Sequence, residues 1–162
     1  MKKKLKLYIE TTLFNYFFDE DRDAHADTVR LFKEIKAGKY EAYTSIAVTD
    51  ELNNAPSPKK EAMLALIKEY TIVVFDVTDE ARNLTDEYIA QGIIPSKYRT
   101  DGTHIAAATV NDMDAVVSLN FQHIVKVKVQ KMSNAVNILK SYRHIKITEP
   151  REMLNDENTQ HN

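Results

Sequence analysis

The sequence predicts an α/β fold with parallel strands, and three of its features lead to that prediction. Short apolar segments alternate with longer amphipathic segments along almost the whole chain, as strands and helices do in α/β proteins. Several apolar segments end at an acidic or polar residue, which is typical of strands at the ligand-binding edge of an open parallel sheet. The chain has 162 residues, 43% of them hydrophobic, which is enough for one substantial core.

The spacing of the apolar residues defines the elements in the first half of the chain. Gly38 supplies the glycine that often follows the last turn of a helix. The hydroxyl group of Ser45 or Thr44 can cap the helix after the second strand. In order, we predict a strand at residues 5–9, a short aromatic-rich helix at residues 11–18, a helix at residues 26–37, a strand at residues 40–45 and a helix that carries Glu51.

The second half of the chain continues the alternation of strands and helices. Residues 124–129 alternate between β-branched side chains and lysine, which predicts an edge strand, with an extended loop as the alternative. Ser133 is expected to cap the last long helix, as Thr78 or Asp79 caps an earlier one. In order, we predict a helix from Pro58, a strand at residues 71–77, a helix at residues 80–91, a helix at residues 101–111, a strand at residues 115–119, the edge strand, a helix through Leu139 and a strand at residues 144–148.

The sequence predicts one domain. It has no internal repeat and no linker-like segment, and only 3 Gly and 4 Pro leave little room for flexible connections. The domain is expected to span residues 1–154. Residues 155–162 form a polar tail that is expected to be disordered.

Composition excludes several kinds of chemistry. Because the chain contains no Cys, it has no disulfide scaffold, no Cys-based zinc site and no thiol nucleophile. No apolar run approaches the ~20 residues of a membrane helix, and the basic residues 1–4 lack the unbroken apolar stretch of a signal peptide. We therefore expect a cytoplasmic protein without a membrane partner. The formal net charge of -2 is not that of a general nucleic-acid binder.

Four polar residues stand where the predicted fold brings strand ends and helix starts to one edge of the sheet. They are Glu10 after the first strand, Glu51 in the helix after the second, Asp101 at the start of a later helix and Asn120 after a further strand. Two carboxylates about 5 Å apart repel by roughly 3 kcal/mol at an effective dielectric constant near 20. Because oxygen ligands suit hard divalent cations, the sequence predicts a divalent metal site at this edge.

Each of these residues also has an ordinary explanation when it is taken alone. Asp101 can be a helix-capping residue that the helix dipole favours, and Glu51 can be a solvated helix residue beside Asp50. Asn120 is a common turn residue after a strand. Glu10 is harder to explain in this way, because it follows an apolar run at a position suited to continuation of the strand.

In this order, the four residues resemble the pattern of the PIN-domain nucleases, of which the VapC-type toxins of toxin–antitoxin systems are small members. The resemblance is carried by residues 8–12, residues 45–51, the Asp-x-x-His-Ile-Ala-x-Ala run at residues 101–108, and residues 115–121. It implies a three-layer α/β/α sandwich with a mainly parallel sheet, and hydrolysis of RNA phosphodiester bonds with Mg²⁺ or Mn²⁺. It also implies an antitoxin partner and a homodimer. The metal-binding and catalytic cluster would be Glu10, Glu51, Asp101 and Asn120.

Two positions depart from the family pattern, because Glu10 and Asn120 stand where the family usually has Asp. The longer Glu10 side chain moves the carboxylate outward, and misplacement by about 1 Å can cost on the order of a hundredfold in rate. Asn120 can ligate a cation through its amide oxygen but brings no charge, so metal binding is expected to be weak. The alternative is a PIN-fold module that is impaired in catalysis and binds RNA or a protein partner.

Five further residues are candidates for contacts with RNA or with the carboxylates. His104 shares a helix face with Asp101, and each histidine can instead be a polar residue at the edge of the core. Residues 115–148 contain no Asp or Glu, and such a basic third of the chain suits RNA phosphates. A solvated lysine-rich edge is the ordinary alternative. The five candidates are Thr11, His104, His123, Lys126 and Lys128.

Other functional classes fit the sequence less well. It contains neither G-x-G-x-x-G nor G-x-x-x-x-G-K-[ST], the phosphate-binding loops of nucleotide-binding folds. A phosphoacceptor receiver domain is disfavoured, because no central strand ends in a lone Asp with an acidic pair at the first strand. An aromatic cluster is expected to pack in the core or in a dimer, and it is the candidate for partner binding if partly exposed. The cluster consists of Phe14, Tyr16, Phe17 and Phe18.

Overall fold

The computed structural model describes residues 3–154, and within them five strands form one sheet with helices packed against it. The tail predicted at residues 155–162 lies outside the described residues. The strands are β1 (Leu5–Ile9), β2 (Tyr40–Ser45), β3 (Val73–Phe75), β4 (Ala115–Val117) and β5 (Lys146–Thr148). The helices are α1 (Thr11–Tyr16), α2 (His25–Lys36), α3 (Ile46–Asn53), α4 (Lys59–Glu69), α5 (Asp79–Ala90), α6 (Arg99–Val110) and α7 (Val127–Leu139), with a short 3-10 helix at Ser96–Tyr98.

The central strand of the sheet is β1. The order across the sheet is β3-β2-β1-β4-β5, and every neighbouring pair is parallel. Leu7 of β1 lies opposite Ala42 on one side and Ala115 on the other. Leu7, Tyr8 and Ile9 have no exposed surface, as expected for a parallel strand that helices cover on both faces. The prediction of an α/β/α fold with a mainly parallel sheet is confirmed.

Several helix ends follow the predicted local signals. Ser45 caps α3, because its Oγ accepts a hydrogen bond from the Ala47 N–H at 3.2 Å. Thr78 caps α5 in the same way and accepts from the Ala81 N–H at 3.2 Å. Gly38 follows the end of α2 with φ at 87°, a backbone conformation that glycine adopts without steric cost.

The prediction of an edge strand at residues 124–129 is wrong, because α7 begins at Val127. Val129, Ser133 and Val136 are buried at helical spacing, whereas Val127 is 72% exposed. The prediction that Ser133 caps the last helix is wrong for the same reason, since Ser133 lies inside α7. The alternation over residues 124–129 fits a strand. Val129, Ser133 and Val136, however, can face the core together only if the segment is a helix.

The remaining differences concern the lengths of elements. The strands β3, β4 and β5 have three residues each, which is shorter than predicted. Helix α6 begins at Arg99, two residues before Asp101. Within residues 3–154, the longest helix has 13 residues, and none is long and apolar enough to cross a membrane.

Candidate active site

Glu10 lies directly after β1, where it also caps the first turn of α1. Its Oε1 accepts hydrogen bonds from the Thr12 N–H at 3.2 Å, the Thr12 hydroxyl at 2.6 Å and the Ser118 hydroxyl at 2.6 Å. The residue is only 2% exposed. Because Ser118 directly follows β4, these bonds join the carboxyl ends of two neighbouring strands. Three donors on one oxygen hold the Glu10 carboxylate in a fixed orientation.

Glu51 lies on α3, the helix that follows β2. Its Oε1 accepts hydrogen bonds from the Thr11 hydroxyl at 2.8 Å and from His104 Nε2 at 2.6 Å. Burial alone would raise the pKa of Glu51. The hydrogen bond and charge of His104, together with the Thr11 hydroxyl, outweigh burial and hold the pKa below its usual value. Glu51 is therefore an anion at neutral pH.

His104 on α6 is fully buried and links Glu51 to the centre of the sheet. Its Nδ1 lies 2.7 Å from the Tyr8 hydroxyl, which lies 2.7 Å from the Ser45 hydroxyl. Burial alone would lower the pKa of His104, but the Glu51 hydrogen bond and the nearby carboxylates raise it above its usual value. Because Nε2 faces a carboxylate oxygen, it carries a proton and has no lone pair for a metal ion. His104 thus orients Glu51.

Asp101 is the third residue of α6 and contacts Asn120, which follows β4. Asn120 Nδ2 donates a hydrogen bond to Asp101 Oδ1 at 3.3 Å, and Asn120 Oδ1 accepts one from the His123 N–H at 3.0 Å. The backbone donor fixes the amide orientation, so the NH₂ group faces Asp101. Burial raises the pKa of Asp101, and the negative charges of the two glutamates add to this, against the opposing effect of His104 and His123.

The three carboxylates form a set of oxygen donors that no lysine or arginine neutralises within residues 3–154. Single atoms of Glu10, Glu51 and His104 all lie within 4.8 Å of one another. Asp101 is not part of this tightest group, but it is near enough for the charges of both glutamates to raise its pKa. In each carboxylate, the hydrogen bonds of the described residues fall on one oxygen. Such a donor set fits a hard divalent cation.

The other predicted contact residues lie at different places around this cluster. Thr11 contacts it directly through Glu51. His123 stacks on Tyr98, with ring centroids 3.8 Å apart and an interplanar angle of 25°. Lys126 and Lys128 are exposed at the start of α7, and within the described part of the chain neither forms an ion pair with the cluster.

Hydroxyl groups that hold the cluster in place were not among the predicted site residues. Thr12 and Ser118 each stand two residues from a predicted site residue, and short hydroxyl side chains often bond to nearby groups of this kind. That spacing was a usable signal. Tyr8 and Ser45 gave no signal, because Ser45 meets Tyr8, and Tyr8 meets His104, only when β1, β2 and α6 come together.

The fold is similar to that of VapC toxins. The sequence itself matches no protein-family model and no curated protein. The structure resembles VapC20 of Mycobacterium tuberculosis, a toxin that cleaves the Sarcin-Ricin loop, with a TM-score of 0.53 and 15% identity over 72% of this chain and 92% of that chain. It also resembles a chain of VapBC2 of Rickettsia felis bound to a promoter DNA fragment, with a TM-score of 0.52 and 13% identity over 90% and 98% of the two chains.

Proposed function

We propose that this chain is a metal-dependent endoribonuclease that hydrolyses RNA phosphodiester bonds and acts as the toxin of a toxin–antitoxin pair. The observation that carries the proposal is the grouping of Glu10, Glu51 and Asp101 at the carboxyl end of a parallel sheet without a lysine or arginine partner in residues 3–154. The similar fold of VapC20, a toxin that cleaves the Sarcin-Ricin loop, supports RNA as the substrate. The similar fold in VapBC2 supports an antitoxin partner.

Glu10, Glu51 and Asp101 would hold Mg²⁺ or Mn²⁺. Such an ion supplies Lewis acidity at the phosphate and lowers the pKa of a bound water. His104 and the neighbouring hydroxyl groups hold the two glutamates, and Asn120 holds Asp101. Ligands that are already held by a surrounding shell of hydrogen bonds reorganise little when the ion binds.

The alternative function is a PIN-fold module that binds RNA or a protein partner without efficient catalysis. The observation that favours it is the hydrogen bond from the Asn120 amide to Asp101. This bond stabilises Asp101 when no ion is bound, and Asn120 adds no charge that would attract one. Both effects weaken metal binding, so the two functions differ in metal affinity before they differ in any other property.

Cleavage of labelled RNA tests the proposed function. The purified chain is incubated with cellular RNA and with an RNA that carries the Sarcin-Ricin loop, in Mn²⁺, in Mg²⁺ or in EDTA. We expect cleavage only with metal, and a loss on the order of a hundredfold or more in Asp101→Asn, because the metal contributes several kcal/mol of transition-state stabilisation. Asp112→Asn removes a carboxylate at the opposite end of the sheet and is expected to keep the wild-type rate.

The outcomes separate the proposed function from its alternative. Cleavage that persists in EDTA or in Asp101→Asn would contradict a metal-dependent site. RNA binding without cleavage of any substrate in either metal would favour the binding module.

The proposal also includes a homodimer and a cytoplasmic location, because the chain would encounter both RNA and an antitoxin there. The aromatic cluster offers a surface for either protein partner. Phe14 is fully buried, Tyr16 and Phe17 are partly buried, and Phe18 is 40% exposed. Aromatic side chains, phenylalanine among them, are enriched at protein–protein interfaces.

A further inference from the structure

A groove of about 640 Å³ lies between the segment that links α5 to α6 and the segment that leads into α7. Ile93, Ile94 and Val129 line it and are buried in the core, so they form an apolar floor. Val127 stands at the rim and is 72% exposed. A cavity of this volume is large enough for a nucleotide-sized group.

The rim of the groove is basic. Lys126, Lys128 and His123 line it, and no acidic side chain is among the described residues that do so. Neither lysine forms an ion pair within residues 3–154. Helix α7 begins here without a side-chain cap, so the N–H groups of its first turn add positive potential. In a chain with a formal net charge of -2, this local charge is complementary to a polyanion.

The groove and the metal-binding carboxylates share a wall. His123 lines the groove, and its backbone N–H bonds to Asn120, which bonds to Asp101. Tyr98, three residues before Asp101, stacks on the His123 ring. A strand of RNA in the groove therefore lies beside the Asp101 carboxylate, with His123 and Asn120 between them.

We propose that this groove binds an unpaired nucleotide of the RNA strand that is cut, with its base against the apolar floor and a backbone phosphate against Lys126 and Lys128. The inference rests on the proposed ribonuclease function and assigns the surface that holds the strand beside the carboxylates. A base within a duplex is stacked on both faces and paired at its edge, so it does not enter an apolar groove. An unpaired base can leave its neighbours and lie against apolar side chains.

RNA binding in the absence of metal tests the proposal. Fluorescence anisotropy with a short labelled single-stranded RNA of mixed sequence, in EDTA and over a salt series, gives the affinity of the full chain. In the double variant Lys126→Gln/Lys128→Gln we expect weaker binding. We also expect the slope of log affinity against log salt to fall by about 1.4, because each of two phosphate contacts on a single strand contributes about 0.7.

A matched control separates local contacts from total charge. Lys59→Gln/Lys68→Gln removes the same two charges from exposed positions on α4, and it is expected to keep the wild-type slope. A second pair of variants adds a negative charge at either end of α7. Val127→Glu places the charge at the rim of the groove and is expected to weaken binding, whereas Leu139→Glu, at the other exposed end of α7, is expected to have no effect.

Two sets of results would overturn the proposal. One is an unchanged salt slope in Lys126→Gln/Lys128→Gln, or an equal loss in the α4 control. The other is tighter binding of a duplex of the same sequence than of the single strand.

Cleavage with metal, measured separately, distinguishes this proposal from the ribonuclease proposal. If the groove variants lose RNA affinity but the wild-type chain cuts no RNA, the groove is an RNA site and the ribonuclease proposal fails. If the wild-type chain cuts RNA and the groove variants keep its kcat/KM, the ribonuclease proposal stands and the groove proposal is overturned.

Discussion

Two groups of acidic side chains lie at opposite ends of the same parallel strands, and they differ in how their charge is balanced. At the amino end, Asp112 and Asp114 precede β4 and share the guanidinium group of Arg143, at 3.4 Å and 3.5 Å. Asp114 also accepts a hydrogen bond from the Lys6 N–H at 2.7 Å. This group is complete, because the chain provides its own cation.

At the carboxyl end, Glu10, Glu51 and Asp101 have no such cation. Within residues 3–154, His104 is the basic residue that contacts them, and it contacts one oxygen of Glu51. The rest of their hydrogen bonds come from neutral hydroxyl, amide and backbone donors, which orient the carboxylates without neutralising them. This difference supports the proposal that the carboxyl-end group binds a cation from outside the chain.

The largest effect on stability is expected from loss of the buried histidine. His104→Ala removes one hydrogen-bond partner from Glu51 and one from the Tyr8 hydroxyl and opens a cavity, so the free energy of unfolding should fall by about 3 kcal/mol. Arg143→Ala removes the exposed cation of the amino-end group and should cost less than about 1 kcal/mol. Urea denaturation of both variants measures the difference, and equal losses would contradict the distinction between the two groups.

Adding charge to the carboxyl-end group is expected to raise its metal affinity. In Asn120→Asp a second carboxylate takes the place of an amide 3.3 Å from Asp101, and repulsion between them is about 5 kcal/mol at an effective dielectric constant near 20. A bound cation relieves that repulsion, so we expect Mn²⁺ affinity to rise by roughly tenfold or more, with a lower thermal midpoint in EDTA. Asn83→Asp on the exposed face of α5 is the control. Unchanged affinity in Asn120→Asp would remove Asn120 from the site.

The pH dependence of stability should report the His104–Glu51 pair. Because the folded-state pKa of His104 is raised above 6.5, its contribution to stability is complete below pH 6.5 and is lost as pH rises through the raised value. The pKa of Glu51 is lowered from 4.5, so its contribution is present above pH 4.5 and is lost as pH falls through the lowered value. We expect the thermal midpoint in EDTA to fall as the pH rises above 6.5, and this fall should be smaller in His104→Ala. Parallel curves for the two proteins would contradict the ion pair.

The smallest effect is expected one residue after Asp101. A Cβ atom at Gly102 would lie 3.4 Å from Thr85 Cγ2 and 3.6 Å from Ile94 Cγ1, which is ordinary van der Waals contact. Gly102→Ala should therefore gain up to about 1 kcal/mol from helix propensity and raise the thermal midpoint by about 2–4 °C. Mn²⁺ affinity should not change, and a change would mean that the backbone at Gly102 takes part in the site.

The fold could be predicted where a local signal decides the structure. The caps at Ser45 and Thr78 and the glycine at position 38 act within a few residues of their own position. The start of α7 could not be predicted in this way. Its first residues alternate as a strand does, and only the burial of Val129 against the folded core distinguishes the two.

The candidate site shows the same limit. The ends of parallel strands lie at one edge, so the grouping of Glu10 with the residues after β4 follows from strand order and could be anticipated. The chain of hydrogen bonds from Glu51 through His104 and Tyr8 could not, because its members are far apart in sequence. The unpaired lysines of the groove were anticipated as a charge excess, but not the apolar floor beside them.

A calorimetric titration with Mn²⁺ tests most directly whether the carboxyl-end group needs a cation that the amino-end group does not. It compares the wild type with Asp101→Asn and Asp112→Asn, one variant from each end of the strands. We predict binding by the wild type and by Asp112→Asn with equal affinity, and no binding by Asp101→Asn. Equal binding by all three proteins, or no binding by the wild type at millimolar metal, would contradict the account.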